Sequence, residues 1–294
     1  MFYSCKNLKL IEFNKNTLTK NLEDMNHIFD SCNSLEKIDT TIFKQNKLTN
    51  LNYVFKDCHS LTSIDLSYFE SENINELRET FYNCTNLINI NFTNFYLANA
   101  KTIVKIFYNC IKLRNVNISM TNARYIKDAS FAFSGCKRLK YVSLPDGMIF
   151  LRSIEKMFQG CSSLTSINLG FLNGVSHLKA CMGMFQGCSD LIEVNFPFMK
   201  SSSEVLDMSD MFKECKSLER ANLEGLNFAL ILQMESMFDG CKKLIYLNIL
   251  NLNTRHLIIV NNIFKNVKKK VEVKYNPNQT SELLKSQIVK IAKN

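Results

Sequence analysis

Two rhythms of apolar and polar residues alternate along the chain. In the first, apolar side chains fall at steps of three, three and one, as at Leu48, Leu51, Val54 and Phe55 or at Leu151, Ile154, Met157 and Phe158. That spacing traces one face of an α-helix. In the second, apolar and polar residues alternate, as at Ile64-Asp65-Leu66 and Ile167-Asn168-Leu169. Alternation marks a short strand with one buried face. Between the two rhythms stands Gly135, Gly160, Gly187 or Gly240 in four places and Asn83 or Asn109 in two. These residue types adopt the left-handed turn that closes a helix. The pattern therefore predicts a unit of helix, tight turn, short strand and loop.

The unit recurs down the whole chain. A phenylalanine three residues ahead of a cysteine marks each copy, with the cysteines at 5, 32, 58, 84, 110, 136, 161, 188, 215 and 241. An eleventh copy, Phe264 with Val267, keeps the phase and loses the thiol. Leucine stands three residues after every one of these cysteines, from Leu8 to Leu244. A fixed period in this range is the mark of a stacked-repeat architecture, and Leu61-Thr62-Ser63-Ile64-Asp65-Leu66 has the form of a leucine-rich-repeat strand. Parallel strands stack about 4.8 Å apart, whereas packed helices need about 8–10 Å. The expected fold is thus an α/β leucine-rich-repeat solenoid, curved, with a parallel sheet on the concave face and short helices on the convex face. Residues 1–276 form eleven copies, the first truncated, and residues 277–294 a C-terminal capping helix.

The segment Met157-Phe158-Gln159-Gly160-Cys161-Ser162-Ser163-Leu164-Thr165-Ser166-Ile167-Asn168-Leu169 resembles the core of the BspA-like leucine-rich-repeat proteins. These are bacterial surface proteins with a 26-residue repeat, together with related protozoan families. The resemblance runs from residue 1 to about 275. It implies the solenoid, and it implies a role in adhesion and in binding a protein or glycan partner at a cell surface. It brings no catalytic motif with it.

Charge changes this picture little. The formal net charge is +9, but residues 255–294 hold nine Lys/Arg against Glu272 and Glu282. The remaining body is nearly neutral, which does not suggest a nucleic-acid partner. Lys268, Lys269 and Lys270 lead into the last expected strand, where lysines on a sheet edge block edge-to-edge aggregation. No apolar run of about 18 residues is present, so no membrane insertion is visible.

At the start, Met1-Phe2 already occupies the end of a predicted helix, and the first strand, residues 8–14, is expected to expose Leu10, Ile11 and Phe13 on an open edge. A longer protein, or a partner that touches this N-terminal end, is the expectation. At the other end Pro277 breaks the pattern. Ser281–Lys293 then reads as an amphipathic helix with Leu283, Leu284, Ile288 and Ile291 on one side.

Candidate chemistry is sparse. Ten of the eleven cysteines form one column, a linear array that cannot surround a tetrahedral metal. They are read as a buried thiol ladder, and Cys181 as a core residue. His27, His59, His177 and His256 pair by spacing with neither a carboxylate nor a nucleophile. The chain has no Gly-rich phosphate loop and no Gly-x-Ser-x-Gly. Repeat length varies by so little that no loop can build a pocket, so an enzyme, a cofactor and a metal are all unexpected. Sequons at Asn83, Asn91, Asn117 and Asn278 are read as accidental. The polar residue seven after each cysteine, Asn in most copies, is expected to form a carboxamide ladder from strand to strand.

The outward position five after each cysteine varies far more. Tyr141, Glu193, Arg220 and Tyr246 there are the candidate partner-binding residues, since tyrosine and arginine are frequent interface anchors. The leading expectation is a non-catalytic interaction and adhesion module at a cell surface. The alternative is an intracellular scaffold, favoured by free thiols and the lack of a visible signal peptide.

Overall fold

The computed structural model describes residues 2–13, 21–44, 47–119, 122–199 and 204–292. The chain winds into a solenoid in which each period forms one coil. Two-residue strands β1 (Leu10–Ile11) and β2 (Lys37–Ile38) open the series. Three-residue strands follow: β3 (Ser63–Asp65), β4 (Asn89–Asn91), β5 (Asn115–Asn117), β6 (Tyr141–Ser143), β7 (Glu193–Asn195), β8 (Arg220–Asn222), β9 (Tyr246–Asn248) and β10 (Glu272–Lys274). Each pairs in parallel with the next coil, at a shift of one period, within the groups β1-β2, β3-β4, β5-β6 and β7-β8-β9-β10. The coil between β6 and β7 passes through Thr165–Asn168 without a strand of its own. It is still tied in, because the Ile192 N–H donates to the Thr165 carbonyl.

The predicted helices on the convex side are not there. The segment ahead of each cysteine is a chain of tight turns, and α1 (Glu282–Ile291) is the one α-helix among the described residues. The reason is the backbone. Two positions per coil, five and one residues ahead of the cysteine, take the left-handed conformation. Examples are Tyr53 and Asp57, Lys105 and Asn109, and Gly183 and Gly187, with φ from 49° at Lys156 to 80° at Gly240. A left-handed residue every four positions ends any helix before it can propagate. The N–H groups then turn outward to the next coil. Leu51, Tyr53, Phe55 and Asp57 donate to the carbonyls of Glu76, Arg78, Thr80 and Tyr82. Turns of three residues inside the coil, such as Cys58 N–H to Phe55 O, complete the pattern. Apolar steps of three and one are common to helices and to turns of this kind, and every such position from Leu48 to Ile231 that faces inward is buried. Both flanks of the stack are thus held at backbone hydrogen-bond distance, and the helix spacing from which the curvature was inferred is absent.

The core is columnar. The phenylalanine rings stack without a break from Phe2 to Phe264, at centroid separations of 5.3 to 5.7 Å. Each fully buried ring is worth about 1.5–3 kcal/mol by area alone. Beside them run the thiols. The Sγ of Cys84 donates to the carbonyl of Phe55, Cys110 to Phe81 and Cys136 to Phe107, at 2.9 to 3.1 Å. That same carbonyl accepts the cysteine N–H of its own coil. Cysteine suits the slot because it is small, apolar and carries a weak donor for the second lone pair. Desolvation pushes all of these buried thiols well above the ordinary thiol value. Cys181 is buried in its own slot, as read from the sequence. A second aromatic file, Phe13, Phe43, Phe69 and Phe95, fills the first coils.

At the C-terminal end α1 begins on Ser281, whose side chain accepts the Leu284 N–H. It buries Leu284, Ile288 and Ile291. Leu283, expected on that apolar side, is exposed, and Lys293 lies outside the described residues. The Ile291 carbonyl accepts the Val271 N–H at the start of the last coil. At the other end Leu10 is exposed, but Ile11, expected on the open edge, is buried. Asn14, the expected end of that strand, is outside the described residues.

Candidate functional site

The first residue of each three-residue strand points away from the core, because the middle residue points in and the pleat has a period of two. Tyr141, Glu193, Arg220 and Tyr246 occupy that first place in β6, β7, β8 and β9. Three of the four are neighbours in register, and two of them touch. Glu193 is the register partner of Arg220, and Arg220 of Tyr246. The Arg220 guanidinium lies 4.3 Å from the centre of the Tyr246 ring. Tyr141, exposed, stands two coils from Glu193 and apart from this group.

Two further residues join the cluster that the sequence reading did not name. Glu272 is the register partner of Tyr246 on the far side, and the Lys274 ammonium sits 5.5 Å from the Tyr246 ring. Tyr246 is therefore flanked by two cations, an arrangement that holds a ring in place. Counting five residues on from Val267 instead of a cysteine leads to Glu272, a signal hidden only by the loss of the thiol. Glu193 carries a second bond, accepting from the Asn195 amide at 2.8 Å. The group presents an acid, a guanidinium, a phenol and a second acid in a row along the strand face, with the Lys274 ammonium beside the phenol ring.

The polar residues seven after each cysteine form one rung of the expected ladder, Asn91 donating to Asp65, and not a continuous one. Their side-chain oxygens turn back on their own coil. Asp65, Asn91, Asn117, Asn168, Asn222 and Asn248 each accept the backbone N–H two residues on, at 2.8 to 3.2 Å. These Asx turns steer the chain out of each strand. Thr41 donors hold the Asp39 carboxyl below its usual range. Burial pushes Asp65 up, and Ser67 and Asn91 donors outweigh it and bring it below. The carboxamide ladder exists elsewhere, at the turn just before the cysteine. There Asn109 donates to Asn83 at 2.6 Å and Asn83 to Asp57 at 2.8 Å.

One histidine does have an acid partner. His27 Nδ1 pairs with Asp30, three residues on, correcting the sequence reading. Asp30 also accepts from the Ser31 hydroxyl. The carboxylate stands between the two, whereas a serine nucleophile needs the imidazole as its neighbour. The His27 ring stacks on Tyr53 at 4.4 Å, so the group packs the turn flank. Among the described residues no group of three His, Cys, Asp or Glu side chains is placed to hold a metal ion. No helix among them is long and apolar enough to cross a membrane.

No curated protein matches the chain. Among solved structures, a leucine-rich repeat protein from Bacteroides ovatus is similar at 18% identity, covering 93% of this chain and 85% of that one, with a TM-score of 0.47. A leucine rich cell surface protein from Faecalibacterium prausnitzii is similar at 15% identity, covering 100% of this chain and 78% of that one, with a TM-score of 0.40. Residues 1–120 match a family described as a Mycoplasma protein of unknown function, DUF285. Residues 101–245 match the BspA type leucine rich repeat region, in six copies. With ten parallel strands among the described residues and its phenylalanine and cysteine columns, the chain is a leucine-rich-repeat solenoid, and residues 101–245 are its BspA type repeat region.

Proposed function

We propose that the chain is a non-catalytic interaction module whose strand face holds a protein or glycan partner at a cell surface. Tyr141, Glu193, Arg220 and Tyr246 are its contact residues, with Glu272 and Lys274 completing the group. The observation that carries this reading is the Arg220–Tyr246 pair. Its members are fixed by register and by ring stacking, so little conformational entropy remains to be lost on binding. Residues 1–276 act as the repeat array, with 277–294 as its cap, and the exposed edge at Leu10 is a further contact surface. The family supports the setting: BspA-like proteins are surface proteins, and their repeats serve adhesion.

The intracellular scaffold remains the competing reading, but free thiols weigh less for it than they did in the sequence. Ten of the eleven are buried, and burial removes both the thiolate and the access that oxidation requires. They would survive in an oxidising compartment too.

Two measurements test the proposal. A membrane-impermeant amine-reactive biotin reagent applied to intact source cells should label the chain. Labelling that appears only after lysis would favour the scaffold. Arg220→Ala and Tyr246→Ala should each weaken capture of the partner on a protein or glycan array, while changes on the turn flank, such as Lys213→Ala, should not.

A further inference from the structure

We propose a second binding surface on another flank of the solenoid, which takes an acidic polysaccharide. It is built from the residue nine ahead of each cysteine. In four successive coils that residue is Lys101, Lys127, Arg152 and Lys179, and all four are exposed. They are not scattered cations. The Lys127 N–H donates to the Lys101 carbonyl, Arg152 to Lys127 and Lys179 to Arg152, at 2.7 to 2.9 Å. The four side chains therefore leave the backbone one strand spacing apart, about 4.8 Å.

Folding gives no reason for this column. Like charges directly opposite on hydrogen-bonded neighbours are destabilising. Among the described residues only Lys179 has a carboxylate partner, Glu204 at 3.1 Å. Lys101, Lys127 and Arg152 have none within 4.0 Å. The same slot holds Glu23, Thr49 and Asn75 in earlier coils and Leu206, Leu232 and Ile258 in later ones. Uncharged side chains thus fit the position, and the cations are confined to one stretch.

The surroundings narrow the ligand. Lys101 and Lys127 line an open trough of about 660 Å³ whose wall also carries Lys47, Asn75, Asn99 and Tyr125, with one acid, Glu23, three coils from Lys101. Carboxamides, hydroxyls and a ring beside cations are the partners that sugar hydroxyls and carboxylate or sulfate groups need. The trough shares only Asn73 with the groove along the neighbouring loops and no residue with the groove along the strand face. A concave channel fits a thin extended chain better than a flat membrane. A nucleic-acid strand would call for open ring faces on which bases could stack. Tyr125 and Phe150 instead cover each other, with centroids 5.8 Å apart and planes 6° apart.

The test is binding of a fluorescent heparin-derived decasaccharide to the full chain, followed by anisotropy. Neutral dextran and single-stranded poly(U) serve as competitors. The triple variant Lys101→Gln, Lys127→Gln, Arg152→Gln should bind about tenfold or more weakly and lose most of the salt dependence. Tyr125→Ala should weaken binding while leaving the salt dependence in place. Lys213→Ala, on the turn flank, should change nothing, and because the triple variant leaves the strand face intact, failure here is separate from failure of the strand-face reading. Equal binding by wild type and triple variant, with both folded by melting temperature, would overturn the proposal. So would competition by dextran as strong as by unlabelled heparin, or tighter binding of poly(U) than of the decasaccharide.

Discussion

The inward and outward columns of this solenoid follow opposite rules. Inward, the same ring and the same thiol return in coil after coil, with Phe133, Phe158 and Phe185 stacked at nearly equal distances. Outward, on the strand face, the residue changes from coil to coil except between Asn89 and Asn115: Lys37, Ser63, Asn89, Asn115, Tyr141, then Glu193, Arg220 and Tyr246. A stacked coil sees only its two neighbours, so a core residue must match the copy of itself above and below. A surface residue answers only to solvent and to whatever binds. Uniformity therefore reports folding, and variation marks the positions left free for recognition.

The largest predicted effect breaks the inward column everywhere at once. Desolvation holds the nine thiols from Cys58 to Cys241 well above the ordinary value in the folded chain. In the unfolded chain they ionise near the model-peptide value of about 8.5. Their raised values stabilise the fold fully below that pH, and the contribution is lost as pH rises above it. Each thiol then removes up to about 1.4 kcal/mol per pH unit, so midpoints in urea should fall steeply between about pH 9 and 11. An unchanged midpoint over that range would show that the thiols are not desolvated. Next in size, Phe158→Ala should cost about 3–5 kcal/mol and lower the melting temperature, because it opens a gap between two stacked rings.

Gly187→Ala is smaller. Gly187 has φ of 75°, and an added Cβ would meet Gly160 only at 3.6 Å, an ordinary contact. The cost is then conformational, about 1–2 kcal/mol. A raised melting temperature would show that the residue before the cysteine is not held in the left-handed conformation. The smallest effect belongs to the outward column. Arg220→Ala and Tyr246→Ala should leave stability within about 0.5 kcal/mol of the parent. A loss comparable to that of Phe158→Ala would mean that the two columns are not independent.

The period, the ring column and the strand face were legible because each repeats in a fixed slot with a distinctive residue. The turn flank was only half legible. Its second left-handed position, one before the cysteine, is written in glycine and asparagine. Its first holds Gly183, Asp210 and Asn262 in three coils but His27, Tyr53, Lys105, Phe131 and Lys156 in five others, residues that carry no turn signal, so the apolar spacing was taken for a helix. Their strain is met by hydrogen bonds to the next coil, which no single repeat can reveal. The Arg220–Tyr246 contact was hidden for a similar reason: it joins residues 26 apart. The basic column escaped notice because its cations are diluted by acids elsewhere. It emerges only when the coils are superimposed on their cysteines.

The column of phenylalanine rings has one more consequence. No ring registers its own place in the pile, since each meets only a ring like itself. Excision of one whole period, from Phe133 to the residue before Phe158, would bring Phe107 and Phe158 face to face in the same arrangement as before. Gene duplication or loss in units of one period can therefore lengthen or shorten such a molecule without redesigning its interior, and each event resets the order in which the recognition residues are displayed.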